Sequence, residues 1–191
     1  DNEAAKQQGV VSGAVNQIIG YSRKYGDLRG LQMVVVPAYT NREVDKLNAT
    51  IRQKLKEAGI VKGDQLVGIN DISTYGGVDN NEIGIVSRII EVDEYGHGEF
   101  EVKVRDKEGY RLVKIRTDDE LYPVRFKHGY ALTNYAIQGI SSAEVHTPLD
   151  KNSGFEAFLV GASRHIMNCT FYVAKDMLED EVFRTKDMDV K

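Results

Sequence analysis

The spacing of apolar residues predicts a helix and a buried strand at the start of the chain. Apolar side chains recur about every 3.6 positions over residues 10–25, which is typical of an amphipathic helix, and Gly26 follows as a natural end. Residues 31–36 form an unbroken apolar run closed by Pro37. Such a run fits a strand that is buried on both faces, as in a parallel sheet covered by helices.

A second helix is predicted directly after this strand. Thr40 and Glu43 have the spacing of a capping box, and the apolar residues that follow lie on one helical face up to Gly59. Strand, short loop and capped helix make half of a β-α-β unit. The loop lies at the carboxyl end of the strand, where open α/β folds bind their ligands.

The middle of the chain has a different pattern, with short alternating runs separated by glycine-bearing turns. This pattern is typical of a small antiparallel β-barrel. The predicted strands are residues 65–69, 83–92, 99–104 and 110–115, and the predicted turns are residues 75–77, 80–82, 95–98 and 107–109.

The α/β pattern returns in the last third of the chain. Residues 128–137 are apolar and aromatic, residues 155–160 fit either a strand or a helix, and residues 170–173 fit a short strand before a charged tail. We therefore predict an α/β fold with a parallel sheet flanked by helices and an inserted antiparallel barrel. Its parts are residues 1–61, the barrel at 62–126, and residues 127–191.

Composition narrows the classes of function. The 191 residues are 41% hydrophobic and carry a net charge of −4, so bulk electrostatic binding of nucleic acid is disfavoured and any DNA contact should be local. With one cysteine, no apolar run long enough for a membrane and no signal-peptide pattern, we expect a cytoplasmic protein without membrane contacts. The first residue is not methionine, and we expect a piece of a longer chain.

Metal chemistry has little support in the sequence. The four histidines are scattered and make no pair at metal-ligand spacing, so we assign no metal site. Cys169 follows an apolar stretch, where a packed thiol is expected more often than a nucleophile.

Three segments could bind phosphates or DNA. Thr40, Asn41 and Arg42 offer a hydroxyl, an amide and a guanidinium at a helix N-terminus, although taken alone the segment is better explained as a plain helix cap. Residues 129–139 place Thr133, Asn134 and Tyr135 before Gln138 and Gly139, which suits contacts to a DNA backbone and a stacked base, or simply a strand and a turn.

The third segment, residues 160–165, projects Arg164 from a run of small residues. An arginine so placed could act on a transferring phosphoryl group, or it could make a surface salt bridge.

The order of these segments resembles a helicase family. GYALTNYAIQG resembles motif V of RecD-like superfamily-one helicases, written aromatic-Ala-x-Thr-x-His-x-x-Gln-Gly, and VGASRH resembles motif VI, written Val-Ala-x-Ser-Arg. VVVPAYTNREVDKLNATIR is similar to the motif IV region of helicases fused to conjugative relaxases of the TraI and TrwC class. The resemblance spans about residues 10–175.

The resemblance implies a second RecA-like motor domain with an Src-homology-3-like barrel inserted before motif V. Gln138, Gly139, Arg42 and Arg164 would bind ATP, with Arg164 as the catalytic group on the γ-phosphate. Single-stranded DNA would contact a second set, which is Thr40, Asn41, Thr133, Asn134 and Tyr135.

The chain has no G-x-x-x-x-G-K-[ST] loop and no strand ending in paired acids. ATP and magnesium would therefore bind only with an ATP-binding motor domain of the parent chain, and this chain alone should not hydrolyse ATP.

Two positions depart from the motif, because Tyr135 replaces its histidine and Ile137 replaces its small polar residue. The alternative is therefore a vestigial module that binds single-stranded DNA or a partner in the conjugation or secretion machinery without ATPase activity.

Overall fold

The computed structural model describes residues 2–25, 31–63, 71–76, 83–94, 97–106, 109–116, 125–138, 140–150 and 155–176. These residues form two sheets and three long helices. In chain order the elements are α1 (Asn2–Tyr25), β1 (Val34–Ala38), α2 (Asn41–Glu57), β2 (Ile72–Gly76), β3 (Ile83–Val92), β4 (Gly98–Asp106), β5 (Gly109–Arg116), β6 (Arg125–His128), β7 (Ala131–Thr133), β8 (Ser142–Leu149), α3 (Phe155–Arg164) and β9 (His165–Val173).

The first sheet is parallel and has the strand order β7-β1-β8-β9. Helices α1 and α2 pack on one of its faces, where Val34, Val36 and Ala38 of β1 point into a shared apolar core. Val35, which points to the other face, packs in a cluster with Ile137 from the turn after β7 and with residues of α3 and β9. The predicted α/β fold, with helices on both faces of a parallel sheet, is confirmed.

The second sheet is antiparallel and has the order β5-β4-β3-β2-β6. Its own core is formed around Phe100, Val102 and Ile115. Two predicted strands, residues 99–104 and 110–115, extend by one or two residues at each end, and the strand at 83–92 has the predicted bounds.

The predicted turn at residues 75–77 is wrong in this sheet. Tyr75 and Gly76 lie in β2, which pairs with β3 on one side and with β6 on the other. A neighbouring pair of glycines indicated a turn, but backbone pairing on both sides of β2 holds this segment extended. The predicted strand at 65–69 and the predicted turn at 80–82 lie outside the described residues.

Strand β1 is shifted along the chain from its predicted position. It runs through Pro37 to Ala38, whereas the prediction ended it before the proline. Proline lacks only its N–H, and β1 keeps its pairing because the Val36 amide donates to the Tyr130 carbonyl oxygen at 3.1 Å.

Strand β8 was not predicted, although it lies between β1 and β9 in the sheet. Its polar residues Ser142, Glu144, His146 and Thr147 are all buried, so the sequence lacks the apolar run expected of a central strand. The structure satisfies Glu144 internally, because its Oε1 accepts hydrogen bonds from the Tyr21 hydroxyl at 2.7 Å and from Asn168 at 2.8 Å.

The remaining elements resolve the open alternatives of the last third. Residues 155–160 belong to helix α3, and residues 170–173 are the end of the longer strand β9. The division into residues 1–61, 62–126 and 127–191 stays a prediction, and the tail from residue 177 lies outside the described residues.

Candidate functional site

The carboxyl ends of β1 and β7 bring two of the predicted segments together. The strands are parallel neighbours with Ala38 opposite Thr133, and the Asn134 amide donates to the Ala38 carbonyl oxygen at 2.9 Å. Residues 39–42 and residues 133–135 therefore leave the same edge of the sheet side by side. All five candidate DNA contacts lie at this carboxyl edge.

Helix α2 begins at this edge with the predicted capping box. The Thr40 Oγ1 accepts a hydrogen bond from the Glu43 amide at 3.2 Å, and the Glu43 carboxylate accepts from the amides of Thr40 and Tyr39 at 2.9 and 3.0 Å. The helix-cap alternative is thus confirmed. Because a carboxylate already takes these two amides, a phosphate at the edge is left with the exposed Asn41 and Arg42 and with the hydroxyl proton of Thr40.

The segment after β7 forms a single turn capped by Thr133. Its Oγ1 accepts from the Ala136 amide at 3.1 Å, and its carbonyl oxygen accepts from the Ile137 amide at 3.0 Å. This turn directs Ile137 into the core, where it is fully buried, and leaves Tyr135 80% exposed. The isoleucine that departs from the motif is therefore a packing residue, and the tyrosine presents its ring to solvent.

Two concave surfaces meet at the carboxyl edge. The first, which we call the α1 cleft, lies between α1, α2 and the ends of β1 and β8, and Tyr39 and Asn134 line it. The second is a groove lined by Asn41 and Thr133 together with Lys127 of the antiparallel sheet.

The charges in the α1 cleft are largely paired. Lys6, whose side chain is buried, donates to the Leu149 carbonyl oxygen at 3.1 Å and makes ion pairs with Glu3 and Asp150. Lys46 donates to the Gln7 side-chain oxygen at 2.7 Å.

The predicted ATP contacts do not form one group. Arg164 ends α3 immediately before β9, whose first residue pairs with Ser142 at the start of β8, so Arg164 lies at the amino edge, opposite the DNA candidates. Its Nε is buried and has no hydrogen-bond partner among the described residues. Arg42 lies instead at the carboxyl edge. Gln138 is exposed, and Gly139 lies outside the described residues.

A buried polar cluster at the junction of the two sheets was missed by sequence reasoning. Asp71 is fully buried and binds the Arg52 Nε through both carboxylate oxygens at 3.0 and 2.8 Å. The Tyr130 hydroxyl donates to the same carboxylate at 2.9 Å, and the His128 Nε2 lies 3.7 Å from it. We call these four residues the Asp71 junction. The one available signal was a lone acid in a mostly apolar stretch, between Asn70 and Ile72.

The electrostatics of the Asp71 junction favour the charged carboxylate. Burial alone would raise the pKa of Asp71, but the contact with His128 and the charge of Arg52 hold it below its ordinary value of 3.8. Beside the junction, Asn48 of α2 donates to the carbonyl oxygens of His128 and Ala131 and accepts from the Ala131 amide. The junction therefore ties α2 to both sheets.

In the described part of the chain, no group of three or more His, Cys, Asp or Glu side chains is arranged to hold a metal ion. None of the helices in the described ranges is long and apolar enough to cross a membrane.

No protein-family model and no curated protein matches the sequence. Solved structures do match the fold. The Pif1 helicase from Candida albicans is 16% identical, covers 89% of this chain and superposes with a TM-score of 0.50. The Pif1 helicase from Bacteroides in complex with ADP-AlF3 and ssDNA is 15% identical, covers 86% of this chain and has a TM-score of 0.48.

The chain spans about half of these relatives, 54% of the Candida protein and 48% of the Bacteroides protein. At such low identity the likeness concerns the fold alone. The chain therefore shares the fold of the matching part of the Candida protein, and its parallel α/β sheet is accompanied by an antiparallel sheet.

Proposed function

We propose that this chain is the second motor half of an ATP-dependent DNA helicase and that its carboxyl edge contacts single-stranded DNA. The observation that carries the proposal is the meeting of two independent sequence segments at one edge. Residues 39–42 and 133–135 are about 90 positions apart in sequence, yet they leave adjacent parallel strands with an exposed aromatic ring on each. The Pif1 structures that share the fold include complexes with ssDNA.

The chemistry of the edge suits single-stranded DNA. The Tyr135 ring, 80% exposed, has the face and the freedom to stack on a base without sequence preference. Asn41, Thr40 and Arg42 offer an amide, a hydroxyl and a guanidinium to backbone phosphates. With a net charge of −4, the affinity rests on these local groups and stays weak at physiological salt, at about micromolar or weaker dissociation constants.

The amino edge supplies the nucleotide-facing half of the proposal. Arg164 has a buried Nε without a partner in the described residues, and a guanidinium in that state favours an anionic acceptor. In the assembled motor Arg164 would contact the γ-phosphate and stabilise its charge. ATP supplies the free energy of translocation, and its magnesium ion is held by the other motor domain.

The parent protein follows from the same reasoning. We infer that an ATP-binding motor domain precedes this chain, because the chain has no phosphate-binding loop and matches about half of a helicase. The amino-acid sequence of the motif IV region supports a conjugative relaxase-helicase as the longer protein.

A second candidate is a vestigial module that binds DNA, or a secretion-system partner, without ATPase activity. The observation that favours it is Tyr135, which stands where motif V has histidine. The two candidates separate on Arg164→Ala in the parent protein. The motor account expects DNA-stimulated ATP hydrolysis to fall by about 10³-fold, as for a lost arginine finger, whereas the vestigial account expects no such hydrolysis in either protein.

The DNA proposal is tested by fluorescence anisotropy of a labelled single-stranded oligonucleotide at low salt. Tyr135→Ala should weaken binding about tenfold through the loss of one stacked base, and Tyr135→Phe should retain it. Tyr110→Ala is the matched control, because this exposed tyrosine lies on the antiparallel sheet. Equal affinities of all four proteins would exclude Tyr135 as a contact. Absence of binding by the unsubstituted chain would reject the DNA site.

A further inference from the structure

We propose that the α1 cleft is a subsite for one nucleobase and that it favours bases with an exocyclic amino group, cytosine over thymine. The proposal rests on the DNA function of the carboxyl edge and adds base selectivity to it. The cleft opens directly beside Asn134, the residue before Tyr135, so a strand stacked on Tyr135 has its next base within reach of the opening.

The rim and floor of the cleft suit a flat heterocycle. Tyr39 lies at the rim with 65% of its surface exposed, and its ring can stack on one face of a base. Below it, the buried side chains of Val10, Pro37 and Leu47 form an apolar floor. Aromatic rim and apolar floor together favour a planar ring over a hydrated ion.

The charge of the cleft distinguishes a base from a phosphate. Three carboxylates (Glu3, Glu43 and Asp150) and two ammonium groups (Lys6 and Lys46) line the cleft, so its net formal charge is −1. Both lysines already bind protein acceptors. A phosphate entering the cleft therefore meets net negative charge, whereas a neutral base with hydrogen-bond donors meets acceptors.

The acceptors explain the preference among bases. The Asn134 side chain lines the cleft and has no partner among the described residues, and the Asp150 carboxylate is 38% exposed beside Lys6. The Asp150 carboxylate can only accept, so it bonds the amino group at position 4 of cytosine and has no proton for the carbonyl oxygen that thymine carries there. The Asn134 amide can accept from cytosine or donate to thymine, so it binds either base without a preference.

The experiment compares labelled oligo(dC) and oligo(dT) of one length by anisotropy at neutral pH and low salt. The unsubstituted chain should bind oligo(dC) about fivefold more tightly than oligo(dT), which corresponds to one net hydrogen bond. Tyr39→Ala should weaken binding of both probes, and Tyr39→Phe should retain both affinities. Asp150→Ala should bring the ratio toward one, and Asn134→Ala should weaken binding of both probes.

Glu99→Ala is the control, since it removes a carboxylate of the antiparallel sheet and should leave the ratio unchanged. Thermal unfolding verifies that each variant is folded, and Asp150→Asn, whose amide can donate as well as accept, should also bring the ratio toward one if Asp150→Ala does not fold. Equal binding of the two probes by the unsubstituted chain overturns the subsite and leaves the DNA function standing. A preference kept in the folded Asp150 variant places its source elsewhere and also overturns the subsite. Absence of binding to either probe rejects both proposals.

Discussion

The Asp71 junction and the carboxyl edge are both rich in polar side chains, but they use them in opposite ways. In the junction, Asp71 is fully buried and its carboxylate is bound by Arg52 and Tyr130. At the edge, Tyr39 and Tyr135 stand mostly exposed, and the Asn134 side chain has no partner among the described residues.

The difference between bonded and exposed polar groups indicates that the carboxyl edge, and not the junction, is the candidate for ligand binding. A buried polar group must be satisfied, and the Asp71 carboxylate uses its bonds on Arg52 and Tyr130, so the junction serves to join the two sheets. The edge keeps its capacity open at the carboxyl ends of parallel strands, where open α/β sheets bind ligands. The comparison predicts that substitutions in the junction change stability, whereas substitutions at the edge change binding.

The largest expected effect is that of Asp71→Ala. It leaves the partly buried Arg52 without its counter-charge, and the free energy of unfolding should fall by about 3–5 kcal/mol. Chemical denaturation measures the change. Asp45→Ala is the control, because the substitution of this exposed aspartate of α2 should change the free energy of unfolding by about 0.5 kcal/mol or less. A loss below about 1 kcal/mol for Asp71→Ala would contradict the statement that the Asp71 junction stabilises the fold.

The pH dependence sharpens the same prediction. The folded pKa of Asp71 is below its ordinary value of 3.8, so its contribution to stability is present above that value and is lost as the pH falls through the folded pKa. The free energy of unfolding of the unsubstituted chain should therefore fall more steeply below about pH 4 than that of Asp71→Asn. Identical slopes would show that Asp71 is not held charged.

Gly13→Ala should have the next largest effect. In α1 a methyl group at this position overlaps the Tyr172 hydroxyl, which lies 2.7 Å from the His146 Nδ1. Overpacking of this kind costs about 1–3 kcal/mol. Gly20→Ala is the matched control in the same helix, since nothing lies within 4 Å of the added methyl group, and it should stabilise the protein by about 0.5–1 kcal/mol. Equal effects of the two substitutions would contradict the packing described for α1.

Thr40→Ala should have a smaller effect on stability. The loss of the cap removes the acceptor for the Glu43 amide and should cost about 1 kcal/mol in thermal unfolding. Thr50→Ala, an exposed change within the same helix, should cost nothing measurable. If the two substitutions were equal, the capping box would contribute no stability.

The smallest effect on stability belongs to Tyr135→Ala. Its ring is mostly exposed, so the unfolding free energy should change by about 0.5 kcal/mol or less. A loss as large as that of Asp71→Ala would show that Tyr135 is a structural residue and would remove the distinction between the two regions.

The sequence predicted those parts whose signal is local. The capping box at Thr40 and the alternation in β4 and β5 are read from neighbouring residues, and both are present. The parallel sheet was predicted without its strand β8, because the buried Glu144 and His146 bond to distant residues, Tyr21 and Tyr172, which no local pattern reveals.

The candidate site divides in the same way. The motif-like segments named Thr133 and Tyr135, but only strand pairing shows that they leave the sheet beside Thr40. Asp71 was missed because its partners lie 19 to 59 positions away in sequence.

Hydrogen exchange of the chain with and without single-stranded oligo(dC), followed by mass spectrometry, tests whether single-stranded DNA binds at the carboxyl edge. The account predicts added protection in peptides that cover residues 39–44 and 133–138, and unchanged exchange in β4 and β5. Protection centred on the antiparallel sheet, or none at the carboxyl edge under conditions where anisotropy shows the oligonucleotide bound, would contradict it.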